Sequence, residues 1–437
     1  MGSILSVLTA RQRFEAFRTS RYWFVAADVL AALLSATLPW STSGFLILLI
    51  PLLAIVLGSA DVPLFTRSFR RPASLFPLAF LALAVVGISW SEAGMSDGVR
   101  GLSPMVKLLL FPFLFYYFQK SERAHWILVA FLVSCTVLLL YSWLVVFQPT
   151  LALKTGRCCG EDYGVPVRNY IDQSQEFAVC LVALILAALY SAERKAWKYA
   201  MLASALGVGF AANLLFVVTS RTALVCIPFM LLVVAWRHAG SKGALAMTIV
   251  GALVLAISWF SSPHLRARIL SVGTQFEEYR SADIPSSVGK RLEFWRKSIG
   301  FFIEKPWIGH GTGSVRDLFE IAAVGHTGAS AEIIANPHNQ TLSAAVQWGL
   351  LGVLVLYGMW GAHLRMFVGS GYISDLGLVV ITQNIIGSVF NSHLSDFTEG
   401  WMYVLGVAAL AGIIAKRDKM EPHRADVAAT AGSKSLN

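Results

Sequence analysis

The chain has 437 residues, of which 56% are hydrophobic and only 14% charged, and its mean hydropathy is +0.64. An ordinary soluble domain carries about a quarter of its residues as charges, so that class is excluded. The net charge of +10 does not argue for nucleic acid, because the basic residues gather at the edges of apolar runs. In chain order, about twelve runs are long enough to enter a bilayer: 22–40, 43–60, 74–91, 103–118, 125–147, 174–192, 198–218, 222–236, 243–261, 341–361, 374–392 and 400–415. The runs at 103–118 and 222–236 fall short of twenty residues and need tilting or neighbours over their ends. The fold class expected is an all-α polytopic membrane protein.

Basic clusters set the orientation. Arg11, Arg13, Arg18 and Arg21 precede the first run, and Arg67, Arg70 and Arg71 follow the second. Lys120 with Arg123, Arg194 with Lys195 and Lys198, Arg237 with Lys242, Arg365, and Lys416 with Arg417 and Lys419 follow later even-numbered runs. All of them fall on one side, which the positive-inside rule makes cytoplasmic, together with both termini. The first apolar run lacks a small-residue cleavage site and reads as a span, not a signal peptide. The expected layout is a bundle of about nine helices over 1–261 with an outer loop near 148–173, then a large outer loop with amphipathic helices over 262–338. Helices over 339–418 and a disordered cytoplasmic tail at 419–437 complete it. Cys135, Cys180 and Cys226 lie within spans as small apolar residues, whereas Cys158 and Cys159 are adjacent in the outer loop, where a vicinal disulfide would be strained.

The chemistry-bearing residues cluster on the outer side. Asn336-Pro337-His338-Asn339-Gln340 precedes the run from Leu342 to Met366. Asn336 reads as the N-cap and Pro337 as the first helical residue, which puts His338 in the first turn. There the helix dipole disfavours imidazolium and leaves a ring able to take a proton near pH 7. The alternative is a well-capped helix whose histidine bonds only to water or headgroup. Arg221, in Ser220-Arg221-Thr222, sits between two runs at their outer ends; it either meets an anion or snorkels as an anchor. Residues 291–303 read as an amphipathic helix with Leu292, Trp295, Ile299, Phe302 and Ile303 on one face and Arg291, Arg296 and Lys297 near the other, suited to a membrane surface. Gly309-His310-Gly311-Thr312-Gly313-Ser314 follows, read as a flexible turn with Ser314 capping a helix from Val315. Asp396 is placed to orient His338 or an arginine, or is a solvated loop carboxylate. Lys107, Asp28 and Glu176 are charges in or beside spans. No suitably spaced acidic pair in the outer loops is arranged to hold a divalent ion, so neither metal nor cofactor is expected.

These stretches resemble the O-antigen ligase and polymerase superfamily of bacterial polysaccharide membrane enzymes. The resemblance rests on Thr219-Ser220-Arg221-Thr222, on Arg291-Leu292-Glu293-Phe294-Trp295 continuing to Lys305-Pro306-Trp307-Ile308-Gly309-His310-Gly311, on Asn336-Pro337-His338-Asn339 with Gly349-Leu350-Leu351-Gly352, and on the polar stretch around Asp396. It covers the last half of the chain. It implies a GT-C-like transferase of the bacterial inner membrane, working on the periplasmic face with an undecaprenyl-diphosphate-linked O-antigen as donor and lipid A–core as acceptor. The polymerase of the same superfamily is the alternative, and a lipid-linked glycan flippase or transporter the reading from a different class. Membrane lipids, and no nucleic acid, are the other expected partners. In this frame His338 is the base that takes the acceptor proton, and Arg221 and Arg291, with Arg168 third, grip the diphosphate. Asn336, Asn339 and Asp396 support them. Direct displacement with one base and no enzyme nucleophile predicts inversion at C1.

Overall fold

The computed structural model describes residues 20–153, 163–218, 220–261 and 263–434. Arg11, Arg13, Arg18, Cys158, Cys159 and Thr219 lie outside the described residues. Those described form helices and connecting turns: α1 (Arg21–Thr37), α2 (Thr42–Gly58), α3 (Val62–Phe69), α4 (Pro72–Val86), α5 (Met95–Leu102), α6 (Lys107–Lys120), α7 (Trp126–Phe147) and α8 (Tyr170–Glu193). Then come α9 (Trp197–Phe216), α10 (Arg221–Ser261), α11 (Pro263–Ala282), α12 (Ser287–Glu304), α13 (Val315–Ile321), α14 (Gln340–Met366), α15 (Tyr372–Phe390) and α16 (Phe397–Lys434).

Among the described residues nine helices are long and apolar enough to cross a membrane, or ten if α2 and α3, bent by 118°, count as one span. This is a polytopic membrane protein. The count falls below the twelve apolar runs for geometric reasons. Helices α1 and α2 have 17 residues each, just too short, and the runs at 222–236 and 243–261 are the two arms of α10. That helix breaks at Ala239 and Gly240, where Gly240 takes φ +58. The last helix runs from Phe397 to Lys434.

Two apolar clusters hold the bundle. The larger joins α1, α2, α4, α6 and α14–α16 around Phe45, Phe80, Phe111, Trp348 and Tyr403. The smaller joins α7–α10 and α15 around Leu138, Phe177, Phe210, Cys226 and Met230. Burying such side chains removes no water inside a bilayer, so close packing and a few buried hydrogen bonds carry the assembly. Cys135, Cys180 and Cys226 are free and buried, as small apolar residues.

The segment between α10 and α14 caps one end of the bundle. Helix α12 buries Phe294 and Phe301 against Val315, Phe319 and Val346. The apolar face read as suited to a membrane surface leaves Ile299 and Ile303 exposed, whereas Lys297, expected on the outward basic side, is buried with Glu293. Hydrogen bonds satisfy both buried charges. Lys297 donates to the carbonyls of Ala322 and Ser330, and Glu293 takes Arg296 and the Tyr279 hydroxyl. Residues 309–313 are likewise no flexible turn. The His310 and Gly311 amides bond Val346 and Gln347 carbonyls at 2.8 Å each, and the Thr312 amide bonds Gly87 at 3.0 Å. Gly309 and Gly311 adopt φ +65 and +90, and a Cβ on either would run into backbone of α14 or of residues 87–91. Helix α13 begins at Val315 as read, but the Ser314 hydroxyl bonds Gly311, not the helix amides.

Candidate active site

The start of α10, the first turn of α12, the approach to α14 and the end of α15 meet at one end of the bundle. Helix α14 starts later than its sequence suggested. Its N-cap is Asn339, whose side chain accepts from the Leu342 amide at 3.0 Å and donates to the Val389 carbonyl at 2.9 Å. Asn336 is not the cap, and His338 is not in the first turn. His338 stands ahead of the helix with φ +52, a left-handed backbone uncommon outside glycine, asparagine and aspartate. Asn336 holds that conformation, its side-chain oxygen accepting the His338 amide at 3.0 Å and also the Ser392 hydroxyl.

The His338 ring is fixed separately. Its Nδ1 lies 3.1 Å from Oδ1 of Asn391, at the end of α15, and its face stacks on Phe294 with centroids 6.1 Å apart. Burial first, then the Arg291 guanidinium, holds the ring below the usual histidine range, with the Asn391 contact opposing them. The ring is therefore neutral at pH 7, as expected, but through burial and Arg291 instead of the helix dipole. The Nε2 atom has no hydrogen-bond partner among the described residues.

Arg221 and Arg291 come together. Arg221 is the first residue of α10, and Arg291 follows the Ser286 cap of α12, whose hydroxyl accepts from Gly289 at 3.1 Å. Both line one small recess with Tyr170, Ser220 and Ser287. Arg291 also acts on His393, whose buried ring is pushed down to about 3, chiefly by burial. One guanidinium thus links the recess to the histidine loop. Below the recess, an apolar cavity of ≈ 520 Å³ runs between α8, α9 and both arms of α10, walled by Leu181, Leu214, Leu224, Ile227 and Met247. Leu224 is one helical turn from Arg221.

The other expected residues lie apart. Arg168 pairs with Asp172 at 3.1 Å, donates to the Leu38 carbonyl at 3.2 Å and covers the Phe397 ring. It is not among the residues lining the recess. Asp396 does not reach His338; Asn391 takes that place. Burial raises the Asp396 carboxyl to about 7, against the charge of Lys107 and with that of Asp172, and Lys107 donates to the Ser395 and Asp396 carbonyls. Glu176 and Lys107 are not paired with each other. Asp28 is satisfied at the opposite end by Tyr117, Ser121 and Arg123. No group of three or more His, Cys, Asp or Glu among the described residues is arranged to hold a metal ion. Sequence reasoning missed Asn391; the signal was its place beside the polar stretch 392–399 that follows a span.

Two arginines lining a small recess, a neutral imidazole and an adjoining apolar slot suit transfer of a group from a lipid-linked phosphate to a hydroxyl. Comparison with protein families agrees in kind: residues 206–357 match the family model described as O-antigen ligase. The match covers Arg221, Arg291, Asn336, His338 and Asn339, and leaves Arg168, Asn391 and Asp396 outside it. No curated protein matches the chain.

Proposed function

We propose that the chain, whose residues 206–357 match the family model described as O-antigen ligase, is a membrane glycosyltransferase of that kind and moves a glycan from a polyprenyl diphosphate to a sugar hydroxyl of lipid A–core. The observation that carries this reading is the convergence of Arg221 and Arg291 on one recess, with the Arg291 charge also acting on His338.

The donor is already activated, since its C1–O bond leads to a diphosphate. Charge builds on that diphosphate as the bond breaks, and fixed guanidinium groups stabilise it most at that moment. Nε2 of His338 takes the acceptor proton as the hydroxyl attacks C1, which inverts the anomeric centre. Two arginines supply the neutralisation that a divalent ion supplies elsewhere, so the reaction is metal-independent. The apolar cavity beside Arg221 suits the isoprenoid chain, and the site end faces the periplasm, with the basic clusters at the other end in the cytoplasm.

The test uses purified protein in detergent with lipid-linked glycan and lipid A–core. Transfer without a sealed membrane supports the reading; a requirement for vesicles and no new glycosidic bond would make the protein a transporter. A deletion strain separates the two enzymes. Bare core with accumulated lipid-linked polymer supports the ligase, whereas core capped by a single repeat would make it the polymerase.

A further inference from the structure

The ring of His338 is gripped on one nitrogen only, by a residue outside the matched family region. Asn391 closes α15: its own amide bonds the Gly387 carbonyl at 3.0 Å, and the residue is 5% exposed. It therefore has little freedom to leave the ring. The neighbouring Ser392 hydroxyl bonds Asn336, which in turn holds the His338 amide. The ring of His338 is thus referred to Asn391, 53 positions further along the chain, and its backbone through Asn336 to the adjacent Ser392.

We infer that Asn391 is a positioning residue: its side-chain carbonyl accepts Nδ1–H of His338 and so fixes the tautomer in which Nε2 carries the free lone pair. A neutral imidazole has one donor and one acceptor nitrogen, and a carbonyl oxygen at Nδ1 requires the proton there. Nε2, unpartnered among the described residues, is then the basic atom. A carboxylate in the same place would fix the same tautomer but also stabilise imidazolium. The choice of an amide keeps the ring oriented without charging it. The charges around the ring agree with this division. On α12, Arg291 is the cation that acts on His338, and Glu293 is engaged by Arg296 and Tyr279. On the loop after α15, His393 lies buried against Gln383, and Asp396 faces Lys107. The first turn of α14, Gln340 to Ser343, carries no titratable group.

The inference rests on the proposed role of His338 as base, and the test separates the two. Full-length Asn391→Leu and Asn391→Asp proteins are purified, checked by thermal melting, and assayed for kcat and donor KM across pH, beside ¹⁵N-histidine NMR of the wild type. Asn391→Leu should lower kcat by about 10–100-fold with KM unchanged. Asn391→Asp should recover most of that loss at high pH while moving the acidic limb up by about one unit or more. The resonance absent from His338→Asn should report protonated Nδ1. A structural contact alone moves no pH limb, so an unmoved limb in Asn391→Asp overturns the inference, as does a proton on Nε2. If Asn391→Leu fails to fold, the Asp variant and the spectrum still decide. Wild-type transfer in His338→Asn would sink the base assignment itself; loss there with both Asn391 variants behaving as wild type sinks only the role of Asn391.

Discussion

The first arm of α10 carries an arginine at each end, and the two are used in opposite ways. Arg221 opens the helix at the recess. Arg237 lies sixteen residues on, about 24 Å along the helix axis, and its Nε pairs with Asp375 at 2.8 Å while its other nitrogens go to the carbonyls of Phe367, Val368 and Gly369. The second oxygen of Asp375 takes His238 at 2.8 Å and the Tyr190 hydroxyl at 2.7 Å. This lower cluster ties α8, α10 and α15 and the end of α14 together. The upper one has the same residue types, Arg and His with hydrogen-bonding neighbours, yet its histidine keeps an unpartnered nitrogen and its arginines face a recess. The charges around Asp375 act as a fastener, and the arginines lining the recess are the ones we propose meet a ligand.

The sharpest break in that comparison is His338→Asn, which removes the proposed base while leaving a residue that tolerates φ +52. Transfer should fall by about 10²–10⁴-fold with an unchanged melting temperature; activity near wild type would make the upper cluster a fastener too. Next, Arg221→Lys and Arg291→Lys should each cost roughly 100-fold in kcat, because lysine keeps the charge but loses the planar fork. Near-normal turnover in both would reduce the recess to generic electrostatics.

A smaller effect concerns pH. The ring must be neutral to act, and its folded value lies below the usual histidine value of about 6.5. Activity should hold at pH 7 and fall as pH drops through that depressed value. Arg291→Gln removes one cause of the depression, so the acidic limb of its residual activity should move upward; a downward move would contradict the electrostatic role. In the lower cluster, Asp375→Asn should cost about 3 kcal/mol of stability, read as a lower melting temperature. Transfer per folded molecule should change less than in any upper-cluster variant. Chelation should produce the smallest effect of all, with transfer unchanged; loss restored by magnesium would give outer carboxylates such as Asp396 a metal-binding role.

Much of this arrangement is legible in the chain. Each apolar run became a helix or one arm of a helix, because runs of Leu, Val, Phe and Ala leave the backbone no other way to satisfy itself in lipid. The number of membrane-length helices was less legible, since it depends on bends at Gly240 and between α2 and α3 that hydropathy does not register. At the site, Arg221, Arg291 and His338 were all singled out, and the structure sets the first two in one recess. The start of α14 was misplaced because Asn336, Pro337 and Asn339 all suit a helix start. Only the distant Ser392 and Asn391 decide which asparagine caps and which holds the loop. Arg168 was grouped with the other arginines by charge, but its (i, i+4) neighbour Asp172 claims it. The burial of Lys297 was not legible, because its partners, the carbonyls of Ala322 and Ser330, lie outside the helix.

The glycine-spaced loop at 309–313 also constrains the order in which the molecule can be completed. The Trp90 indole bonds the Ile308 carbonyl at 3.2 Å, the Ser91 hydroxyl bonds the Thr312 carbonyl at 2.8 Å, and the Thr312 hydroxyl bonds Ala84 at 2.6 Å, across 218, 221 and 228 residues of chain. During synthesis the end of α4 enters the bilayer long before its partners exist. A nascent chain stalled before residue 308 holds most of its spans but cannot close this seam, and its polar groups at 84–91 wait in the interface. Final assembly is therefore a late, long-range docking event, and the site it completes matures only after the last third of the chain has been translated.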